Sequence, residues 1–197
     1  TPGFDDTAWA SGRGVLGYPG SEARTLLSFG SDPDDKYRTY YFRKRFTVST
    51  PSAFTNLQLE VLRDDGVILY LNGAEIFRNN MPAGQVAYTS LASATVSGSD
   101  ETLYLTASVN PALLLAGNNL LAAEIHQAAP DSSDISFDLA LGGQSATNQA
   151  GMNLVYISSP ENNQAIITPL MLAINATALS KNEAVSRVDF YADGALL

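Results

Sequence analysis

The stretch RDDGVILYLNGAEIFRNNMP, residues 63–82, decides the fold of this chain. Its run VILYL, residues 67–71, is apolar on both faces and predicts a strand in the middle of a sheet. The pair Asn72-Gly73 follows, and it favours a type I′ turn because both central residues of that turn need a positive φ. The stretch therefore predicts a hairpin whose second strand returns beside the acidic residues that precede Val67.

Further strands on both sides of the hairpin show the period-two alternation of half-buried β-structure. Their apolar faces carry Tyr40, Phe42, Phe46 and Val48, then Leu57, Leu59 and Val61, then Leu103, Leu105, Ala107 and Val109, and finally Ile135, Phe137, Leu139 and Leu141. Another strand begins at Leu120 and carries Glu124 and His126. No long amphipathic helix interrupts them, so the chain up to about Gly143 is predicted to be an antiparallel all-β domain, a sandwich or jelly roll.

Composition excludes several classes of protein. The 197 residues carry a formal net charge of −9 with only 11 lysines and arginines, so the basic surface that nucleic acids and anionic membranes require is absent. There is no cysteine, which excludes a disulfide framework and thiol chemistry. No apolar run approaches the ~20 residues needed to span a bilayer. A negative protein remains compatible with divalent cations.

The composition changes after the predicted sandwich. GGQSATNQAG, residues 142–151, is small and polar, which is typical of a flexible linker. We therefore assign residues 1–143 to a first domain, 144–152 to a linker and 153–197 to a second domain.

The second domain is predicted to contain three strands, around residues 154–158, 170–178 and 185–192. A two-sheet sandwich of the immunoglobulin type needs about seven strands. We therefore expect this domain to be incomplete and the chain to be a fragment of a longer protein.

The ordered blocks FDDTAW, GVLGY, YYFRKRF, RDDGVILYLNGAEIFRNNMP, LLLAGNNLLAAEIHQ and SSDISFDLAL resemble the galactose-binding-like jelly-roll module of secreted bacterial proteins. The resemblance covers about residues 4–141. The tail is similar to bacterial immunoglobulin-like repeats through SRVDFYADGALL. Together these resemblances imply an all-β chain, an antiparallel β-sandwich or jelly roll followed by an incomplete immunoglobulin-like β-sandwich, in a modular protein that is secreted or on the bacterial cell surface.

The adjacent carboxylates of Asp64 and Asp65 allow three interpretations. They could bind Ca²⁺, which prefers six to eight oxygen ligands, with Asn80 adding another oxygen. They could cap a turn, or Asp65 could pair with Arg78 on the returning strand. A catalytic acid pair is disfavoured, because neighbours on one strand point to opposite faces. We favour the ion pair and the cap, and Ca²⁺ stays a possible cofactor.

His126 is the one histidine in the sequence and shares a strand face with Glu124. One histidine cannot form a zinc site without further nitrogen or sulfur ligands. A catalytic triad with the Ser-Ser-Asp segment at residues 132–134 lacks a nucleophile elbow and an oxyanion loop. We therefore expect His126 to bind a neighbouring loop by a hydrogen bond.

Sugar binding requires an aromatic ring that covers the apolar face of a pyranose, together with polar side chains for its hydroxyls. Trp9 is expected to fill the core beside its turn, whereas Tyr18, in LGYPG, is expected to be the more exposed aromatic. The candidate ligand-binding residues are Tyr18, Tyr37, Arg38, Arg78 and Asn80.

Two functions follow from these observations. The first is a non-catalytic accessory module that binds a polysaccharide or another glycan and positions neighbouring domains of its parent chain. The alternative is a structural subunit or spacer of an extracellular filament or surface assembly, in which an adjacent subunit completes the open immunoglobulin-like edge. No residue pattern supports an enzyme, so none is predicted.

Overall fold

The computed structural model describes residues 2–19 and 23–145, together with the backbone of four strands in the rest of the chain. The chain divides into two compact units, Thr1–Gln144 and Ser145–Leu197. The strands of the first unit are β1 (Leu16–Tyr18), β2 (Thr25–Leu26), β3 (Thr39–Val48), β4 (Phe54–Asp64), β5 (Gly66–Leu71), β6 (Ala74–Asn79), β7 (Leu105–Val109), β8 (Gly117–His126) and β9 (Ile135–Ser145).

These strands form two sheets, in the orders β2-β1-β9-β4-β7 and β3-β8-β5-β6. The two-residue strand β2 is left out of this comparison. The other strands pair from the two ends of the sequence inward: the first lies beside the last, the second beside the second-last, and so on. The nested neighbours are β1 with β9, β3 with β8, β4 with β7, and β5 with β6. This is the strand order of a jelly roll. The predicted antiparallel β-sandwich is confirmed.

The hairpin predicted from residues 63–82 is present. β5 lies between β8 and β6, so it is a central strand as its apolar sequence predicts. Asn72 and Gly73 connect β5 to β6 with φ values of 54° and 88°, the positive values that the turn requires.

The core fills the space between the two sheets. From the four-stranded sheet it receives the side chains that alternate inward, among them Phe42, Leu69 and Ile125, and from the five-stranded sheet Leu59 and Phe137. The residues between them in sequence must therefore point to the opposite side, which we call the outer face of the four-stranded sheet.

One end of this outer face is covered by the connection between β6 and β7. Met81 and Ala92 from that connection bury Ile68 of β5 in a second, smaller apolar cluster. The connection contains a 3₁₀ helix at Gly98–Thr102, and two further 3₁₀ helices lie at Pro51–Ala53 and Pro111–Leu113. This connection does not cover the rest of the outer face, and the candidate site lies there.

In the second unit the described strands are β10 (Leu154–Ser159), β11 (Asn175–Leu179), β12 (Tyr191–Ala192) and β13 (Ala195–Leu196). β10 pairs antiparallel with β11, and β12 with β13. The rest of the predicted immunoglobulin-like sandwich, with its open edge, lies outside the described residues.

The end of the first unit differs in one detail from the prediction. β9 continues to Ser145, so the first two residues of the linker predicted at 144–152 are strand; residues 146–152 lie outside the described part of the chain. In the part of the chain that the structure describes, no helix is long and apolar enough to cross a membrane.

Candidate functional site

The first correction concerns Tyr18, which the sequence suggested as an exposed sugar platform. Tyr18 is only 6% exposed and belongs to the core cluster. Its ring packs 5.4 Å from the ring of Phe29, and its hydroxyl accepts a hydrogen bond of 2.6 Å from Nε2 of Gln127. β1 is the first strand of the sandwich, and one of its faces points into the core. Tyr18 lies on that face.

The other predicted ligand-binding residues do not converge on one site. Tyr37 is exposed, while Arg38 next to it is paired with Asp35 at 2.8 Å. Asn80 has a structural role, since its Nδ2 donates to the carbonyl oxygens of Asp65 at 3.2 Å and Ala94 at 2.6 Å.

Arg78 corrects a second prediction, its ion pair with Asp65. Its guanidinium instead forms a double hydrogen bond with the carboxylate of Glu75, at 2.9 and 2.7 Å. Both residues lie on β6, three positions apart. The hairpin does bring its two ends together as predicted, but the contact there joins Nε of Arg63 to Oδ1 of Asn79 at 2.8 Å.

Asp65 acts as a cap for distant loops. Its side chain is buried, with Oδ1 accepting the backbone N–H of Val96 at 2.7 Å and Oδ2 that of Ala128 at 2.6 Å. The neighbouring Asp64 is also buried, and burial, followed by the negative charge of Asp65, raises the pKa of Asp64 to about 8. Asp64 therefore carries a proton at neutral pH.

These two residues offer little to a cation. Both oxygens of Asp65 already accept N–H groups, and a protonated Asp64 is a weak ligand. Among the described residues, no group of three or more acidic, histidine or cysteine side chains could hold a metal ion. Calcium binding stays a prediction, and the residues proposed for it have other partners.

A different part of the molecule forms a site. The N-terminal segment, residues 2–9, crosses the outer face of the four-stranded sheet and is held there by arginines of β3. Arg43 donates to the carbonyl oxygens of Phe4 at 2.7 Å and Pro2 at 3.2 Å, and Arg45 donates to both oxygens of Asp6 at 2.8 Å. The alternation of β3 places both arginines outward, so the sequence YYFRKRF positions this segment.

A cleft of about 600 Å³ opens between this segment and the sheet. We call it the aromatic cleft and define it by Phe4, Trp9, Tyr41, Tyr70 and Glu124, which line it. The rings of Phe4 and Trp9 pack 5.5 Å apart. Trp9 is 41% exposed and Tyr41 is 44% exposed, so the expectation that Trp9 fills the core is wrong.

The polar group of the cleft is Glu124, on β8 directly opposite Tyr41 of β3. Its Oε1 accepts a hydrogen bond of 2.5 Å from the hydroxyl of Tyr70. Its Oε2 lies 3.5 Å from Nε2 of His126. Burial raises the pKa of Glu124, but the contacts with His126 and Tyr70 lower it by more, so the pKa lies below its ordinary value and the group is ionised at neutral pH.

His126 lies next to Glu124 beneath the connection between β6 and β7. Its Nδ1 is 2.8 Å from the carbonyl oxygen of Ser90 and 3.0 Å from Oγ1 of Thr39. The prediction that His126 binds a neighbouring loop is confirmed. Nε2 finds no hydrogen-bond partner among the described residues, which leaves it facing Glu124.

Sequence reasoning missed the aromatic cleft. The alternation of YYFRKRFTV shows that Tyr41 points away from the core, and the same argument applies to Tyr70 and Glu124 on their strands. No sequence signal places Phe4 and Trp9 beside them, because that contact depends on where the N-terminal segment crosses the sheet.

Comparisons with known proteins give partial likenesses. No protein-family model matches the chain, and no curated protein does. Among solved structures, an α-L-rhamnosidase from Streptomyces avermitilis complexed with L-rhamnose is 18% identical, with a TM-score of 0.40, over 56% of this chain and 9% of that one. An α-L-rhamnosidase from Dictyoglomus thermophilum is 14% identical, with a TM-score of 0.38, over 74% of this chain and 12% of that one.

A β-D-mannosidase from Dictyoglomus thermophilum is 20% identical, with a TM-score of 0.29, over 45% of this chain and 9% of that enzyme. The chain thus spans between 9% and 12% of the length of these three glycoside hydrolases. At such TM-scores the likenesses carry no argument about what this chain does.

Proposed function

We propose that the first unit is a non-catalytic module that binds carbohydrate in the aromatic cleft, within a secreted or surface-exposed bacterial protein of several domains. The supporting observation is the combination of two exposed rings, Trp9 and Tyr41, with the ionised carboxylate of Glu124 in one cleft. An aromatic ring covers the apolar face of a pyranose, and a carboxylate accepts its hydroxyl hydrogens.

The size and shape of the cleft agree with this proposal. Ligand sites of small molecules usually measure about 300–1,000 Å³. At about 600 Å³ the aromatic cleft lies within that range, and its rings are held by defined contacts: Phe4 packs on Trp9, and the guanidinium of Arg43 lies 5.6 Å from the Phe4 ring. A ring that is already ordered loses less conformational entropy on binding.

The proposal that the module is non-catalytic comes from its acids. Glycoside hydrolases generally place two carboxyl groups on either side of the scissile bond. Of the described residues that line the aromatic cleft, Glu124 alone is acidic. The galactose-binding-like resemblance of residues 4–141 points in the same direction, since such modules accompany catalytic domains.

Affinity gel electrophoresis on a panel of neutral and acidic polysaccharides tests the proposal. We expect retardation on at least one polymer, lost in Trp9→Ala and in Tyr41→Ala and retained in Tyr104→Ala, an exposed tyrosine bound to Asp138 on the other sheet. If no polymer retards the wild type, the proposal fails. If Tyr37→Ala abolishes retardation and Trp9→Ala does not, the site lies at the Tyr37 loop instead.

A further inference from the structure

The charged groups around the aromatic cleft are held in different ways. On the outer face, Arg43 and Arg45 both contact Asp6, at 3.1 and 2.8 Å, and Arg78 is bound by Glu75. These three arginines are therefore engaged by carboxylates of the same chain, including Arg43, which also lines the cleft. Glu124 is held differently: its Oε1 accepts a hydrogen bond from the hydroxyl of Tyr70, and its Oε2 lies 3.5 Å from Nε2 of His126.

The position of Glu124 gives its charge an effect on ligands. The side chain is 11% exposed and lines the cleft, so it is shielded from bulk water while still reaching the ligand volume. Charges in such partly buried sites are screened much less than charges on an open surface.

From this arrangement we infer that the aromatic cleft selects neutral glycans, and that Glu124 is the residue that rejects acidic ones. A neutral sugar donates a hydroxyl hydrogen to Glu124 and gains a charge-assisted hydrogen bond. A uronate or a sulfated sugar brings a second anion to the same place, and like charges brought together cost affinity. This inference rests on the proposed function and specifies the class of ligand for the same site.

Tyr70 helps the cleft to favour ligand groups that donate hydrogen bonds over ligand groups that only accept them. Its hydroxyl donates to Oε1 of Glu124, which fixes the carboxylate on the floor of the cleft. Because that hydroxyl hydrogen is already used, Tyr70 does not supply a donor for the carboxylate of an acidic sugar. The specificity of the cleft therefore follows from the carboxylate of Glu124, which Tyr70 fixes in place as a hydrogen-bond acceptor.

The test compares neutral and acidic members of the panel in one buffer at neutral pH. The neutral polymers are dextran, galactan, mannan and xylan; the acidic ones are dextran sulfate, polygalacturonate and alginate. We expect the best acidic polymer to bind at least about tenfold more weakly than the best neutral one. Glu124→Gln, which keeps the size of the side chain, should weaken neutral binding about fivefold to tenfold and remove the preference.

The matched control is Glu60→Gln, an exposed glutamate of β4 on the other sheet, which should leave the preference unchanged. If an acidic polymer binds the wild type as tightly as any neutral one, the inference is overturned and the proposed function stands. The same holds if Glu124→Gln retains the full preference. If no polymer binds, the proposed function fails and the inference fails with it.

Discussion

The carboxylate of Asp65 joins two segments of the chain that lie far apart in sequence: its Oδ2 accepts the backbone N–H of Ala128, 63 residues away, at 2.6 Å. Its Oδ1 accepts the N–H of Val96 at 2.7 Å. Asp65 follows β4, Val96 belongs to the connection after β6, and Ala128 follows β8. The residue therefore fixes the connection that covers one end of the outer face, next to the aromatic cleft.

Removing this cap should destabilise the first unit. Asp65→Ala leaves two part-buried N–H groups without their acceptor, and each such loss costs about 1–3 kcal/mol, so we expect the free energy of unfolding to fall by about 2–6 kcal/mol. Urea denaturation measures it. Asp35→Ala, which removes an exposed pair with Arg38, is the control and should cost about 1 kcal/mol or less. Equal effects of the two substitutions would contradict the capping role.

Calcium should not change the stability of the first unit. The N–H groups of Val96 and Ala128 occupy both oxygens of Asp65, and a cation there would have to displace them. We therefore expect the same melting temperature in excess CaCl₂ and in EDTA. A rise with CaCl₂ that Asp65→Asn abolishes would restore the calcium interpretation of the acidic pair.

Asp64 should make stability depend on pH. Because its pKa is raised from 3.8 to about 8 in the folded state, the folded chain keeps a proton that the unfolded chain releases between these values. Stability is thus unaffected by Asp64 below about pH 4, decreases as the pH rises from about 4 to about 8, and is level above that. The effect is on the order of a few kcal/mol, since one pKa unit corresponds to about 1.4 kcal/mol.

The variant Asp64→Asn isolates this effect from the other titrating groups. It keeps a hydrogen-bond donor beside Asp65 but cannot ionise. We expect it to unfold at a higher urea concentration than the wild type at pH 8, and at about the same concentration at pH 4. Parallel pH profiles for the two proteins would contradict the raised pKa of Asp64.

Gly66 should not tolerate a side chain. A Cβ at this position would lie 2.9 Å from Cβ of Ala92 and 2.9 Å from the carbonyl oxygen of Asn80, and it would overlap Sδ of Met81. Gly66→Ala is expected to cost about 1–3 kcal/mol in thermal or urea unfolding. Gly142→Ala is the control, because a Cβ there meets its nearest atom at 3.9 Å; a loss of stability as large as that of Gly66→Ala would refute the packing argument.

Tyr18 should contribute to stability and leave sugar binding unchanged. Tyr18→Phe keeps the buried ring and removes the acceptor for Nε2 of Gln127, which retains the carbonyl oxygen of Asp134 at 3.1 Å. We expect a loss of about 1 kcal/mol in the free energy of unfolding and unchanged retardation in affinity gels. Reduced retardation with unchanged stability would return Tyr18 to the binding site.

Local sequence patterns predicted much of the fold. The period-two alternation around Phe42 and Leu59 assigns an inner and an outer side to each strand, and the side-chain direction in a strand depends only on parity. Asn72-Gly73 predicted its turn because few other residues adopt positive φ at low cost. Asn110 before Pro111 is another local determinant, since its Oδ1 accepts the N–H of Ala112 at 3.0 Å where the 3₁₀ helix Pro111–Leu113 begins.

Local sequence patterns did not predict the hydrogen-bond and ion-pair partners of the polar side chains. Arg78 was expected to bind Asp65 because the hairpin brings its ends together, but Glu75 lies three residues away on β6 and offers a closer carboxylate. Asp65 binds N–H groups of two segments whose positions depend on the whole sandwich. Hydrogen bonds over such sequence distances carry no local pattern.

The sequence by itself determined the class of fold, the central hairpin and the outward direction of Tyr41 and Glu124, because these follow from parity and turn chemistry within a few residues. The tertiary structure alone decided that Tyr18 is buried and that Trp9 lies in an open cleft. Both depend on which segment crosses which sheet face, and the arginines of β3 that hold the N-terminal segment act across about forty residues of chain.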